Sequence, residues 1–464
     1  MKPTGFPARP RFAAATAVLF VLGCAPACAE GPAPRQIAVD ATLTVGSLRP
    51  LSGVLAVDAE GTAFYRSAQV DLVRVPDGSA AVDIDTIFPD KSADVENPKS
   101  YNFAAADKLI GSIKSAGAEP LFRLGGGVGH APDPPADQEK WAQIVRHIVL
   151  HYNVGWARGF RYGIRYWGVW NAPDSKAFWS GSPEEYYSLY EKTARAIESA
   201  DPSALVGGPG LVKPLLAGPY REKFMDFVRT RRLPLDFFAW HFYAVDSNDP
   251  YLFVTIARQL RIILDSRGFG STKNVLDEWN ADPAAADMPK PERMAFAASS
   301  LIYMLGGPID AQTYHAEPAI HGGISADSAA AALSAFGALK STPVLIRNTG
   351  GDEAGLAVAA GRSKDNRLFQ ILISNYQVDA KYLRPRDNWD TTLPERRVLE
   401  YRDNGGYDTT VTLPGAGRYQ VKRYRVDAAG TLALFDQSMQ AGPDIRLQAQ
   451  LPPPALELIV ISAK

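Results

Sequence analysis

The chain has 464 residues, 46% of them hydrophobic and 10% aromatic, with 49 basic residues against 50 acidic ones. That length allows one large barrel or two smaller domains, and the near-neutral balance offers no basic stripe for nucleic acid. The two cysteines, Cys24 and Cys28, both lie close to the N-terminus, which excludes a disulfide framework or a cysteine metal site in the body of the chain.

The first 29 residues read as an export signal. Lys2, Arg9 and Arg11 precede an apolar stretch from Phe12 to Leu22, and Ala27-Cys28-Ala29 supplies the small residues a signal peptidase requires, so cleavage is expected before Glu30. A lipoprotein signal would instead put Cys24 first, but Leu22 stands where such signals carry a small residue. Processing removes both cysteines and leaves a mildly acidic protein, expected in the periplasm or outside the cell. No later run reaches the roughly 18 apolar residues of a membrane span.

Residues 30–51 include an alternating stretch, Gln36–Val45, that predicts a strand joining a β-domain at the other end of the chain. From 52 to 341 short apolar runs alternate with amphipathic stretches. Eight strands are predicted: Gly53–Val57, Val70–Val75, Glu119–Leu124, Arg165–Trp170, Ala204–Gly208, Phe237–His241, Asn274–Glu278 and Gln312–Tyr314. Between them, Trp141, Ile144, Val145, Ile148 and Tyr152 form one helical face, and Tyr186, Leu189, Tyr190, Thr193 and Ile197 form another. The second helix opens with Ser182-Pro183-Glu184-Glu185, an N-cap serine, a first-turn proline and a capping-box glutamate. Eight such units predict an α/β fold, a closed (β/α)₈ TIM barrel, with an open doubly wound sheet as the alternative. Residues 342–464 lose helical periodicity. Runs such as Gly355–Ala360, Leu368–Ser374, Tyr419–Val426 and Leu456–Ser462 predict a C-terminal antiparallel β-sandwich.

In a (β/α)₈ barrel the active site gathers where the strands end, so those residues come first. The fourth barrel strand ends in Trp170-Asn171-Ala172-Pro173-Asp174, the sixth in Trp240-His241-Phe242-Tyr243 and the seventh in Asp277-Glu278-Trp279-Asn280. Other signals carry less. His147 and His151 have metal-ligand spacing but no glutamate follows His147, which favours packing within a helix, and no metal is expected. "LGGGVGHAPDPP" lacks phosphate-loop spacing, no G-x-S-x-G elbow occurs, and Arg229, Arg231 and Arg232 are expected to close a helix.

Residues 139–181, "EKWAQIVRHIVLHYNVGWARGFRYGIRYWGVWNAPDSKAFWSG", resemble glycoside hydrolase family 39, whose pattern runs W…I…HYN-x-GW…YWE-[IV]-WNEPD…FW-x-G. "EEYYSLYEKTARAIESADPSALVGGPG", "FFAWHFY", "LDEWN" and "HGGISADSAAAALSAFGALKSTPV" continue the match in order. The resemblance implies a barrel with a β-sandwich and retaining hydrolysis of a β-linked saccharide or polysaccharide, with no cofactor. Such chemistry needs two carboxyls, one attacking the anomeric carbon and one protonating the departing oxygen. By resemblance Glu278 is the nucleophile. The acid/base belongs at 172, where this chain has alanine, and Gly168 replaces a second glutamate of the pattern. Turnover is therefore expected to be slow on ordinary glycosides and less impaired on activated aryl ones.

Three accounts of Ala172 stay open in the sequence: a substitute acid, with Asp174 or Glu317 as candidates; a one-residue disablement of an active enzyme; or a carbohydrate-binding protein that has kept the cleft without turnover. Among supporting residues, the resemblance gives Asn171 the sugar 2-hydroxyl, His241 and Tyr243 the orientation of Glu278 and the lining of the cleft, and Arg74 a charge that keeps Glu278 ionised. Trp170, Trp179, Trp279 and Tyr314 are either stacking platforms for sugar or core aromatics.

Overall fold

The computed structural model describes residues 34–55, 61–75, 80–125, 132–244, 248–282, 288–316, 329–378, 405–426 and 430–464. The N-terminal segment expected to be an export signal and Glu317 lie outside these residues. After β1 (Arg35–Ser47) come β2 (Gly53–Leu55), β3 (Leu72–Arg74), β4 (Glu119–Leu124), β5 (Tyr166–Val169), β6 (Leu205–Leu211), β7 (Phe237–Ala244), β8 (Lys273–Ala281) and β9 (Ala311–Tyr314). Strands β2 to β9 pair in parallel in chain order, and Val54 of β2 pairs with Tyr314 of β9, which closes the sheet into a barrel and disposes of the open-sheet alternative. Each predicted barrel strand overlaps one of these.

The helices are α1 (Thr62–Ser67), α2 (Ile84–Ile87), α3 (Ala104–Ser115), α4 (Gln138–Asn153), α5 (Pro183–Ala200), α6 (Phe224–Arg231), α7 (Leu252–Ser266), α8 (Lys290–Leu305) and α9 (Ala330–Ala338). Helix α5 starts where its sequence says it must: the Ser182 hydroxyl accepts from the Glu185 amide, and the Glu185 carboxylate accepts from the Ser182 amide. Its apolar face packs on α4, where the Trp141 indole donates to Thr193 Oγ1 at 3.2 Å. His147 and His151 are buried in this layer. His147 Nδ1 lies 2.9 Å from the Gln143 carbonyl, while His151 stacks on Phe103 with its Nε2 3.0 Å from Asp107.

Inside the barrel, Leu72, Leu121, Phe237, Ala239, Val275 and Ala311 make a small apolar layer of their own. Because side chains alternate along a strand, the residues two further on point into the same lumen, nearer the C-terminal mouth. These are Arg74, Arg123, His241 and Asp277, all buried, together with Gly168. The apolar layer is thus a floor beneath a polar one, and the polar one is where the site is built.

The C-terminal strands are β10 (Val344–Thr349), β11 (Leu356–Arg362), β12 (Leu368–Asn375), β13 (Gly406–Thr412), β14 (Arg418–Val426), β15 (Leu432–Ala441), β16 (Asp444–Gln450) and β17 (Ala455–Ala463). With β1 they form, among the described residues, one sheet in the order β15-β14-β17-β12-β11-β10-β1-β13-β16. Strand β1 runs antiparallel to β10 and parallel to β13, so the domain is mostly antiparallel. The parallel pair arises because β1 enters from before the barrel, free of any hairpin that would set its direction. The outermost strands β15 and β16 are joined by Gly442 and Pro443 alone, a span of roughly 10 Å at most. The two edges must therefore meet, and the sheet rolls over a shared core that includes Ile37, Ile346, Ile371, Val411, Ile445 and Ile459. Its outer face rests on α8, where Ser299 Oγ donates to the Gly355 carbonyl and Ser374 Oγ to the Ala295 carbonyl.

Candidate active site

The Arg74 guanidinium organises the mouth of the barrel. It is fully buried at the end of β3, with Nε 3.1 Å from Asp277 Oδ2, Nη1 3.0 Å from Glu278 Oε2, and Nη2 donating to Asn171 Oδ1 at 2.6 Å. One planar cation thereby fixes residues from β8 and from the loop after β5. Arginine suits this work because its five N–H donors lie in a rigid fork.

Consecutive residues of a strand ordinarily face opposite ways, yet Asp277 and Glu278 both reach Arg74. A bulge accounts for this. Trp240 pairs with Leu276 while His241 pairs with Glu278, which leaves Asp277 as the extra residue on β8 and turns Glu278 toward the lumen.

On its other side Glu278 Oε1 accepts from the Tyr243 hydroxyl at 2.5 Å, and the same hydroxyl lies 2.5 Å from His315 Nδ1. With its one hydrogen given to Glu278, the hydroxyl meets Nδ1 as an acceptor, so the hydrogen between them is carried by His315. His241 Nε2 stands 3.4 Å from Asp277 Oδ1 and 3.8 Å from Glu278 Oε2. Burial alone would keep His241 neutral, but the carboxylates of Glu278 and Asp277 outweigh it and hold its pKa above the ordinary value. Burial would likewise push Glu278 up, whereas His241, Arg74, His315 and the Tyr243 hydroxyl bring it down to about 2. The result is an ionised carboxylate at the barrel mouth, held on both oxygens and 13% exposed where Arg74 is 0%.

The loop carrying position 172 is also fixed. Trp170 and Ala172 both have left-handed backbones, with φ of 66° and 45°, a conformation costing non-glycine residues about 1–3 kcal/mol each that clusters at functional sites. It is held by Trp170 N–H donating to the Leu124 carbonyl at 2.7 Å and Ala172 N–H to the Gly210 carbonyl at 3.1 Å. The Ala172 methyl is buried and cannot exchange a proton. At Gly168 an added Cβ would meet only Leu121 Cδ2 at 3.6 Å and Arg123 Cα at 3.8 Å, so the lumen has local room for a larger residue. Arg123, beside it, faces Asp83 Oδ1 at 4.0 Å.

The structure therefore brings Arg74, Asn171, His241, Tyr243 and Glu278 together. It corrects several other readings. Arg74, a candidate substrate contact as well as the charge beside Glu278, is fully buried and gives its contacts to the two carboxylates and Asn171. Asp174 is a loop clamp, since its carboxylate accepts from the Val212 amide at 3.1 Å and the Lys213 amide at 2.9 Å. Trp179, Trp279 and Tyr314 are wholly buried and pack on other aromatics, Trp279 edge-on to Tyr314 and Trp179 edge-on to Trp170, so they are not sugar platforms. Trp170 is nearly so, its indole donating to the Phe178 carbonyl at 2.9 Å. Two site residues escaped the sequence reading. His315 directly follows the last barrel strand, where the strand-end rule applied to every strand would have found it. Asp277, in step with Val275 on the lumen side, was legible by strand alternation; the residue that alternation would turn away is Glu278, which the bulge brings inward. Among the described residues no group of three or more His, Cys, Asp or Glu side chains is arranged to hold a metal ion.

Fold and site together define a class, a (β/α)₈ barrel that presents one ionised glutamate at the end of its seventh strand. A model of the glycosyl hydrolases family 39 matches residues 63–263. The crystal structure of a glucosidase from Croceicoccus marinus is 32% identical with a TM-score of 0.86, over 93% of this chain and 100% of that one. A β-xylosidase from Geobacillus stearothermophilus is 31% identical over 180 residues, 34% of this chain and 33% of the relative, so the match spans about a third of that protein. The family 39 enzyme from Xanthomonas axonopodis pv. citri shares the fold, with a TM-score of 0.70 at 17% identity over 95% of this chain and 100% of that one. This chain belongs to glycoside hydrolase family 39.

Proposed function

We propose that the protein is an exported glycosidase that attacks the anomeric carbon of a β-linked saccharide with Glu278, by the retaining route, and lacks the usual acid/base group. The observation that carries this reading is the Arg74-centred cluster. It holds Glu278 ionised at the barrel mouth, next to Asn171, in the form a nucleophile needs. Asn171, whose Oδ1 accepts from Arg74, is the residue that the resemblance assigns to the sugar 2-hydroxyl. The relatives' names, glucosidase and β-xylosidase, make glucosides and xylosides the first substrates to try. Export rests on the signal pattern of residues 1–29.

Ala172 favours one alternative, a carbohydrate-binding protein on the same scaffold. The two are separated by the turnover of aryl and natural glycosides by the protein and by Ala172→Glu. General acid assistance contributes about 10²- to 10⁴-fold, so a hydrolase gains on that order toward natural glycosides when the glutamate is restored. Azide, an anion that needs no base, should accelerate the unaltered protein on aryl glycosides. Inactivity of both forms with saccharide binding retained supports the binder.

A further inference from the structure

Resting on that glycosidase reading, we infer that the leaving-group side of the cleft accepts glycosides of acidic, apolar alcohols, phenols above all, and that Val212 and Leu216 are the residues that contact this aglycone. The Ala172 amide is bonded to the Gly210 carbonyl, and the Asp174 carboxylate to the amides of Val212 and Lys213, so the loops after β5 and β6 are laced into one wall. An added Cβ on Gly210 would lie 3.3 Å from His241 Nε2 and 3.7 Å from the Ala172 amide, and His241 in turn stands 3.8 Å from Glu278. A chain of neighbours thus runs from Glu278 through His241 and Gly210 with Ala172 to Val212, the exposed member. A sugar carbon held at Glu278 with its glycosidic oxygen toward position 172 directs its aglycone onto that wall.

Two large apolar side chains of this wall meet solvent. Val212 is 42% exposed and Leu216 48%, while Leu215 beside them packs into the core. Among the described residues few large aliphatic side chains are so exposed, and two of them stand on this one loop at the barrel mouth. Lys213 brings a positive charge to the same loop.

Chemistry selects the occupant. Glu278 forms a bond to the anomeric carbon as the carbon–oxygen bond breaks, and the departing oxygen keeps the electron pair. An aliphatic alkoxide, whose conjugate acid titrates near that of water at about 15.7, needs a proton at that moment, and Ala172 has none to give. A phenoxide, with a conjugate acid near 10 as for tyrosine, leaves as the anion and takes its proton from solvent afterwards. Water then attacks the anomeric carbon, releases the Glu278 carboxylate and loses its proton to solvent, so glycoside and water become sugar and phenol.

The test uses the full chain and three probes carrying one sugar, glucose or xylose: a series of substituted phenyl glycosides, a cyclohexyl glycoside and the glycosyl fluoride, whose leaving group needs neither proton nor aglycone pocket. We expect kcat/KM to rise steeply as the phenol becomes more acidic, the cyclohexyl glycoside to be inert, and Val212→Ser/Leu216→Ser to lower the ratio of phenyl glycoside to fluoride kcat/KM by about tenfold, the scale of a lost hydrophobic contact. A ratio that stays constant in the double variant, or a rate independent of phenol acidity, overturns the aglycone assignment while the fluoride is still turned over. Failure of the fluoride and every aryl glycoside alike overturns the glycosidase reading and this inference with it.

Discussion

At the scale of single residues, the balance within the cluster decides what Glu278 can do. Arg74 meets the carboxyl groups of Asp277 and Glu278 at 3.1 and 3.0 Å in a poorly solvated space, where a cation and an anion each need a partner. Removing the Tyr243 hydroxyl deletes a charge-assisted hydrogen bond worth about 1.5–3 kcal/mol, so Tyr243→Phe should lower kcat/KM on an aryl glycoside by roughly 10- to 100-fold. Glu278→Gln, which keeps the shape but removes the attacking charge, should take the same reaction down by about a thousandfold or more in a stopped assay.

The cluster also sets a pH window for stability. Glu278 falls from 4.5 to about 2 on folding, so its contribution is present above pH 4.5 and is lost as pH falls through 2. His241 moves the other way. Its contribution is complete below pH 6.5 and fades as pH rises through its raised folded value. Urea midpoints measured against pH should peak between these limits, and Glu278→Gln should flatten the acid side of the profile.

At the scale of elements, local signals located the barrel strands well and their ends poorly. Strand β7 runs to Ala244 and β8 to Ala281, beyond the predicted ends at His241 and Glu278, because neighbouring strands at the mouth go on hydrogen-bonding after the apolar pattern stops. The capping box of α5 is entirely local and was legible in four residues. Ser182→Ala should cost about 1 kcal/mol, read as a lower denaturant midpoint with activity on an aryl glycoside retained. The bulge at Asp277 left no local trace, since it comes from the register between two strands.

At the scale of the whole molecule, the N-terminal strand ties the two ends of the chain together. Strand β1 lies inside the rolled sheet between β10 and β13, and its Ile37 and Val39 are buried in that sheet's core. Removing residues 34–47 would open two new sheet edges at once and expose the core beneath. Such a truncation is expected to lose the cooperative thermal transition and accumulate as insoluble protein, whereas a truncation ending at residue 33 should melt like the full chain. The sheet also braces α8, which is apolar on nearly every side because it packs on the barrel with one face and on β11, β12 and β17 with the other.

Sequence alone was enough for the barrel and for the capped start of α5, because both are written in spacing between near neighbours, and its motifs resembled the family closely enough to single out Glu278. It also exposed the alanine at 172, which is a matter of composition at one aligned position. Only the tertiary structure decided which groups touch. Arg74 lies about two hundred residues from Glu278 in the chain yet shares its charge at 3.0 Å; Tyr314, Trp179 and Trp279 turn into the core; and Asp174 ties two loops together. Those outcomes depend on how strands from distant segments register around a closed ring, and no short-range pattern in the sequence encodes that register.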